Sequence, residues 1–298
     1  MAPQVTVGVP VYNGALKLRR AVESILAQTH KPDLIHISDN GSTDATGEIG
    51  QALAAEHATV SYTRQPTNIG PSPNFRFLLQ QAKTPYFMWV AADDYLEPTY
   101  VERMLSVLES DPGLVTCVSR VLFVRPDGTS RLAVGTYPLQ ADRVTNLAAY
   151  LTNPNDNARV YGLHRTIPLQ KAYPTSDFVV AWDWTLMAGT LLYGGHAEVP
   201  ETLMVRDETP HQAYMIMIRR HARWWLERIV PLLPMSLGLL FHQRIPLRLP
   251  VVKALLYANI AAHFDYVREF HPRYARAEPF VRRYLLWRLA YRPAGGGA

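Results

Sequence analysis

Cysteine is all but missing. Its one occurrence, Cys117, falls inside the apolar run LVTCVSRVLFV (114–124), which excludes a disulfide framework and a cysteine-rich metal site. Such a residue reads as part of a buried strand rather than as a nucleophile, and its surroundings fit a reducing compartment. No leader is expected either: MAPQVTVGVP has neither the basic flank nor the long apolar stretch of a signal peptide. No run is long enough to span a bilayer. The longest apolar stretch, IVPLLPMSLGLLF (229–241), is short and broken by proline. Charge is sparse at 18% of the 298 residues while 48% are hydrophobic, which predicts a packed core rather than disorder.

Acidic residues thin out towards the carboxyl end. Residues 206–298 hold 15 Lys and Arg against 6 Asp and Glu, whereas residues 1–205 hold 15 against 19. Trp224, Trp225 and Trp287 lie in that basic part. Basic residues interleaved with Trp, Tyr and Leu suit a membrane surface or another anionic partner. A helical part with a solvated basic face is an equal reading. No nucleic-acid recognition module is present there, so no nucleic acid is expected as a partner. The expected location is the cytoplasm, with peripheral contact at the inner face of the membrane through this region.

What is there reads as alternating strands and helices. VTVGV (5–9) is a β-branched strand, and PVYNG (10–14) is turn chemistry. ALKLRRAVESILAQ (15–28) has Leu16, Val22, Ile25 and Leu26 at helical spacing. LIHIS (34–38) is a second strand, and DNGSTDAT (39–46) leads into a helix whose caps are expected among Ser42, Thr43 and Asp44. A strand near TVSYT (59–63), a turn and helix in NIGPSPNFRFLLQQA (68–82), and a strand YFMWVAA (86–92) follow. This order predicts an α/β fold with a mainly parallel central sheet. The last strand delivers two adjacent carboxylates, Asp93 and Asp94, to the end of the sheet, where crevices open in α/β folds. Such a pair suits Mg²⁺ or Mn²⁺ bridging to a phosphate, although a solvated turn is a common alternative. From residue 111 the strands look antiparallel or mixed, HAEVPETLMVRD (196–207) reads as a closing strand, and helices broken at proline follow Ala213.

Taken together, VGVPVYNG, AVESILAQTHKP, ISDNGSTDAT, NIGPSPNF and WVAADDYLEP resemble the amino-terminal half of the family 2 glycosyltransferases. The resemblance covers residues 4–110 strongly and 155–211 more weakly. It implies a nucleotide-binding domain of GT-A type over residues 1–211, with a nucleotide-sugar half (1–110) and an acceptor half (111–211). A helical extension over 212–298 completes the expected organisation. It further implies that Pro10, Val11, Tyr12 and Asn13 border the nucleotide base, and that Asp39 accepts a hydrogen bond from it. A turn-forming Asp is the alternative for Asp39. Asn68 and Gly70 match a loop under the nucleotide. Asp93 would face the ribose or sugar, and Asp94 would bind the metal, with His211 completing the site. Many members carry a further Asp where this chain has Ala91.

Gly162, His164 and Arg165 in ARVYGLHRT resemble an acceptor-side loop, and Trp182 and Asp183 stand where the family carries its acidic pair. Asp183 is therefore the expected base. The resemblance implies metal-dependent, inverting transfer of a sugar, with UDP the expected nucleotide and dTDP or GDP open. The acceptor would be a glycan end, a lipid-linked saccharide or a small molecule, in envelope or polysaccharide synthesis. Three rivals stand beside it. One is a non-catalytic scaffold that binds nucleotide or carbohydrate; another is a sugar-nucleotide pyrophosphorylase, whose glycine- and arginine-rich phosphate signature is not seen near the first strand; the third is a nucleic-acid binder using the basic tail, which carries no recognition module.

Overall fold

The computed structural model describes residues 4–174, 180–208 and 225–271, together with 216, 219, 273, 283–285, 288 and 289. Along the chain run β1 (Val5–Val11), α1 (Leu18–Leu26), β2 (Leu34–Asp39), α2 (Thr46–Glu56), β3 (Val60–Arg64), α3 (Pro71–Gln81) and β4 (Tyr86–Trp89). Next come β5 (Tyr95–Leu96), α4 (Tyr100–Ser110), β6 (Leu114–Val124), β7 (Ser130–Leu132), α5 (Arg143–Thr152), β8 (Leu163–Arg165) and α6 (Thr166–Ala172). The chain continues through α7 (Trp182–Thr190), β9 (Gly195–Asp207), α8 (Trp225–Ile229), α9 (Leu233–Leu237) and α10 (Leu249–Phe270). A 3₁₀ turn (Ala158–Tyr161) precedes β8, and a π-helical turn (Gly238–His242) follows α9.

Two compact units result. The first comprises residues 1–138, 156–173 and 193–208; the second comprises 139–155, 174–192 and 209–298. The expected acceptor half, 111–211, is thus shared between both units, and the expected extension forms most of the second.

The first unit holds one sheet in the order β3-β2-β1-β4-β8-β6-β9-β5, with β7 beside β6. β1, β2, β3 and β4 are parallel, as are β6 and β9, while β8 joins the two halves antiparallel to both β4 and β6. Every residue of β1 is buried, as a central strand covered on both faces requires. Helix α1 turns Leu18, Ala21, Val22 and Ile25 inward at helical spacing. Pro10 sits inside β1 without breaking the ladder. The last bond to β4 is Val90 N–H to Gly8 O, and β4 itself ends at Trp89. By alternation the missing N–H of Pro10 would point to that side, where no strand remains to accept it. Cys117 is fully buried in β6, and burial pushes its thiol up to about 12.

In the second unit α5 packs along α10, and α7 packs against α5, α9 and the π-helical turn. Asp142 caps α5, accepting from the N–H groups of Val144 and Thr145. Asn259 of α10 donates to Ser236 Oγ of α9 at 2.8 Å.

Candidate active site

The carboxyl ends of β1 and β4 enclose a cavity of about 360 Å³ in the first unit. Its wall is Pro10 to Gly14, Leu16 and Lys17 on one side, Ala91 to Asp93 on another, and Asp44 at the lip. Pro10, Val11, Tyr12, Asn13 and Asp93 are therefore brought together. Tyr12 is 48% exposed, an aromatic face open to a planar ligand.

The wall is held in shape from behind. Asn13 N–H donates to Ser42 Oγ at 2.9 Å, Gly14 N–H to Thr46 Oγ1 at 2.9 Å, and Ala15 N–H to Asp44 Oδ2 at 3.2 Å. In return Thr43 N–H donates to Asn13 Oδ1 at 2.8 Å, and Asn13 adopts a left-handed φ of 52°. The expected capping role is corrected here in part. Ala45 stands at the N-cap of α2 with no side-chain cap bond, and Ser42 Oγ serves the β1 loop instead, whereas Asp44 does both, its Oδ2 accepting from Ala15 N–H and its Oδ1 from the N–H of Thr46, the first residue of α2, at 3.0 Å.

Asp39 lies one layer deeper, fully buried. One of its oxygens accepts from Ser42 N–H at 2.8 Å, and the other accepts from the Tyr62 hydroxyl at 2.7 Å with Arg64 at 3.6 Å. Burial, and then the bond to Asp39, push the Tyr62 hydroxyl up to about 12, so it stays a donor. Asn68 accepts from Asn40 Nδ2 and from Gly70 N–H, and Gly70 takes a left-handed φ of 87° just before Pro71 opens α3. None of Asp39, Asn68 and Gly70 lines the cavity.

The two neighbouring carboxylates diverge. Asp93 faces the cavity, its carbonyl held by Arg20 Nη2 at 3.1 Å. Asp94 turns inward, 1% exposed, and its Oδ2 accepts from Arg206 Nε of β9 at 2.7 Å. The Arg206 guanidinium lies 3.8 Å from the centroid of the Tyr161 ring. Burial pushes the Asp94 carboxyl up to about 6 against the pull of Arg206. Its Oδ1 is buried with no hydrogen-bond partner. Among the described residues no three His, Cys, Asp or Glu side chains converge on one point.

The acceptor-side expectations are corrected for His164 and Arg165. His164 is fully buried in β8 between Thr116 Oγ1 at 2.9 Å and Val160 O at 3.1 Å, and burial lowers its pKa to about 4. Arg165 braces the core, donating to Leu114 O, Leu108 O and the Tyr86 hydroxyl. Gly162 is required by packing, since a Cβ there would lie 2.5 Å from Cys117 O. Asp183 and Trp182 occupy the first turn of α7 in the second unit, Trp182 buried and Asp183 partly exposed. His211 lies outside the described residues.

Lys17 is the wall residue that sequence reasoning missed. It stands at the N-cap of α1, and its ammonium pairs with Asp207 at the end of β9. It is the one cation among the wall residues, which otherwise carry Asp44 and Asp93. The available signal was its place three residues after the PVYNG turn.

The order of strands, the cavity at the ends of β1 and β4, and the knitted DNGSTD loop meet a sequence match. The profile of glycosyl transferase family 2 covers residues 6–164, more than half of the chain. The chain belongs to glycosyl transferase family 2. Its fold is of the GT-A type. An uncharacterized glycosyltransferase of Rickettsia typhi is 29% identical over 152 residues, 46% of each chain. The chain spans less than half the length of several curated relatives that it matches. Among solved structures, TarS 1–349 of S. aureus in complex with UDP-GlcNAc superposes with a TM-score of 0.58 at 16% identity, covering 95% of this chain and 90% of that one. A mannosyltransferase of Pyrobaculum calidifontis in complex with GDP-Man and Mn²⁺ gives 0.51 at 18% identity, over 98% and 82%. At such identities the likeness establishes the fold.

Proposed function

We propose that the chain transfers a sugar from a nucleoside-diphosphate sugar, UDP being the favoured nucleotide, to an acceptor hydroxyl with inversion. The observation that carries this reading is the wall of the cavity. An open aromatic face (Tyr12), backbone groups fixed by side chains of the next loop, one ammonium (Lys17) and the carboxylates of Asp93 and Asp44 converge at the strand ends. A flat base, a diphosphate and a cation between them match that set.

The residues fit a hard divalent cation held jointly with substrate. Mg²⁺ and Mn²⁺ are commonly bound by one or two carboxylates plus phosphate oxygens. Of the two carboxylates in the wall, Asp44 is engaged by the N–H groups of Ala15 and Thr46, which leaves Asp93 for a cation, and the unpaired Oδ1 of Asp94 is the nearest reserve in sequence. We therefore assign the cation to Asp93 and a positioning role to Asp94, the reverse of the order that the resemblance implies. When bound, the ion would stabilise charge on the departing diphosphate. His211 is retained in the proposal as a further ligand.

Asp183 is proposed as the base. It takes the proton from the acceptor hydroxyl, the oxygen bonds to the anomeric carbon opposite the nucleotide, and the bond from that carbon to the diphosphate breaks. The amino-terminal turn of α7 favours a negative charge there. Asp39 is proposed to accept a hydrogen bond from an N–H of the nucleotide base, since each of its oxygens can accept a second hydrogen bond. The acceptor class that suits the basic carboxyl-terminal residues is a glycan carried at a membrane surface.

Calorimetry with UDP, dTDP, GDP and CDP, each with and without Mn²⁺, tests the donor site. Binding of one nucleotide that needs metal and is lost in Asp93→Ala supports it. Failure of every nucleotide to bind leaves a scaffold without a donor site. Asp183→Asn is expected to abolish transfer with nucleotide affinity kept; normal turnover in that variant removes Asp183 as the base.

A further inference from the structure

No Asp or Glu occurs from Arg228 to Phe264, and the formal charges in that stretch, Arg228, Arg244, Arg248 and Lys253, are all positive. Within it the turn between α9 and α10 shows an unusual face. Phe241 is 72% exposed, Leu247 69% and Leu249 68%, with Leu237 also outward one helical turn before Phe241. Arg244 and Arg248 stand exposed among them. The turn is built, not loose. Leu239 and Ile245 are buried beneath it, Ile245 N–H donates to Leu239 O at 3.1 Å, and Gln243 N–H donates to Gly238 O at 3.1 Å. Arg244 takes a left-handed φ of 53°, which reverses the chain between the two buried anchors.

Single exposed apolar residues are ordinary; a cluster rimmed by one sign of charge marks an interface. We propose that this turn docks the chain on a bilayer that carries anionic lipid. Phe241, Leu247 and Leu249 enter the boundary between headgroups and acyl chains, while Arg244 and Arg248 keep their guanidinium groups at the phosphates. Charge complementarity decides for this occupant. A second copy meeting the same face across a twofold axis would set arginines against arginines. A nucleic acid would use the cations but leave the apolar side chains idle. No helix among the described residues is long and apolar enough to cross a membrane, so contact is at the surface. This inference rests on the second unit alone and does not depend on the donor reading.

The test is flotation of the full chain with vesicles of phosphatidylcholine, pure or containing one third phosphatidylglycerol. Anionic vesicles are expected to bind at least about tenfold more chain than neutral ones, with added salt weakening the effect. Phe241→Ser with Leu247→Ser lowers that binding about tenfold or more, and Arg244→Gln with Arg248→Gln removes the preference for anionic lipid. Melting temperature and nucleotide affinity, measured on the same variants, separate this result from misfolding and from the donor reading. Phe241→Trp adds a second readout: its emission shifts to the blue on anionic vesicles relative to the parent. No binding, equal binding to both vesicles, unchanged binding of the serine variant or no shift overturns the proposal. A dimer or a nucleic-acid complex lost in the same variants, without vesicle binding, reassigns the face.

Discussion

Asp93 and Asp94 are adjacent in the chain, yet one faces the cavity and the other holds an arginine. The sequence placed both at the end of β4 but could not say which way each points, because that depends on the turn beyond the strand. The Asp94 N–H closes this turn on Ala91 O at 3.0 Å. Different losses follow. Asp93→Asn is expected to abolish the metal dependence of nucleotide binding with little change in melting temperature. Asp94→Asn leaves the largely buried Arg206 without its counter-charge and is expected to cost about 3 kcal/mol of stability in denaturant titrations. The reverse pattern would return the cation to Asp94. Lys17→Met is expected to weaken binding of a nucleoside diphosphate about fivefold to tenfold at low salt. Asp207→Asn, which frees the same ammonium, is expected to strengthen it; isothermal calorimetry reads both.

Elements were easier to read than side-chain roles. The strands β1, β2 and β4 announce themselves as short apolar runs ended by turn residues, and the sheet enforces that pattern by burying both faces. Ser42 and Thr43 were misread because their partners lie about thirty positions upstream, on the β1 loop. His164 and Arg165 were misread because a polar pair next to a glycine resembles a binding loop, whereas here the glycine admits a neighbouring strand and the pair satisfies buried carbonyls. Gly162→Ala is expected to cost about 1–3 kcal/mol, as overpacking against backbone does, and a urea midpoint measures it. Thr46→Val with Ser42→Ala removes two of the bonds that fix the β1 loop, and should raise KM for the donor more than it lowers kcat.

For the whole molecule, buried histidines set the response to acid. Burial holds His36, His164 and His196 below their ordinary pKa, His164 at about 4 against 6.5. Between those values the unfolded chain takes up more protons than the folded one, so stability is full above about 6.5 and is lost as pH falls towards 4. For His164 alone the loss is about 3 kcal/mol at its limit. Asp94 acts in the opposite sense, since its raised pKa makes the folded state the better proton acceptor between about 4 and 6. Denaturant midpoints followed from neutral to acid pH should fall, less steeply in His164→Gln. This response is not legible in the sequence, because a histidine in a strand can face core or solvent, and only the pairing of β8 between β4 and β6 puts His164 inside.

The lone cysteine has a practical side. With its thiol enclosed in β6 and raised to about 12, Cys117 carries almost no thiolate at neutral pH and offers no access to a maleimide. The native chain is therefore a silent background for labelling. A cysteine placed at Tyr12 or at Leu247 would take a spin label or fluorophore at one site, and ligand arrival at either face could be followed in real time without first removing a native thiol.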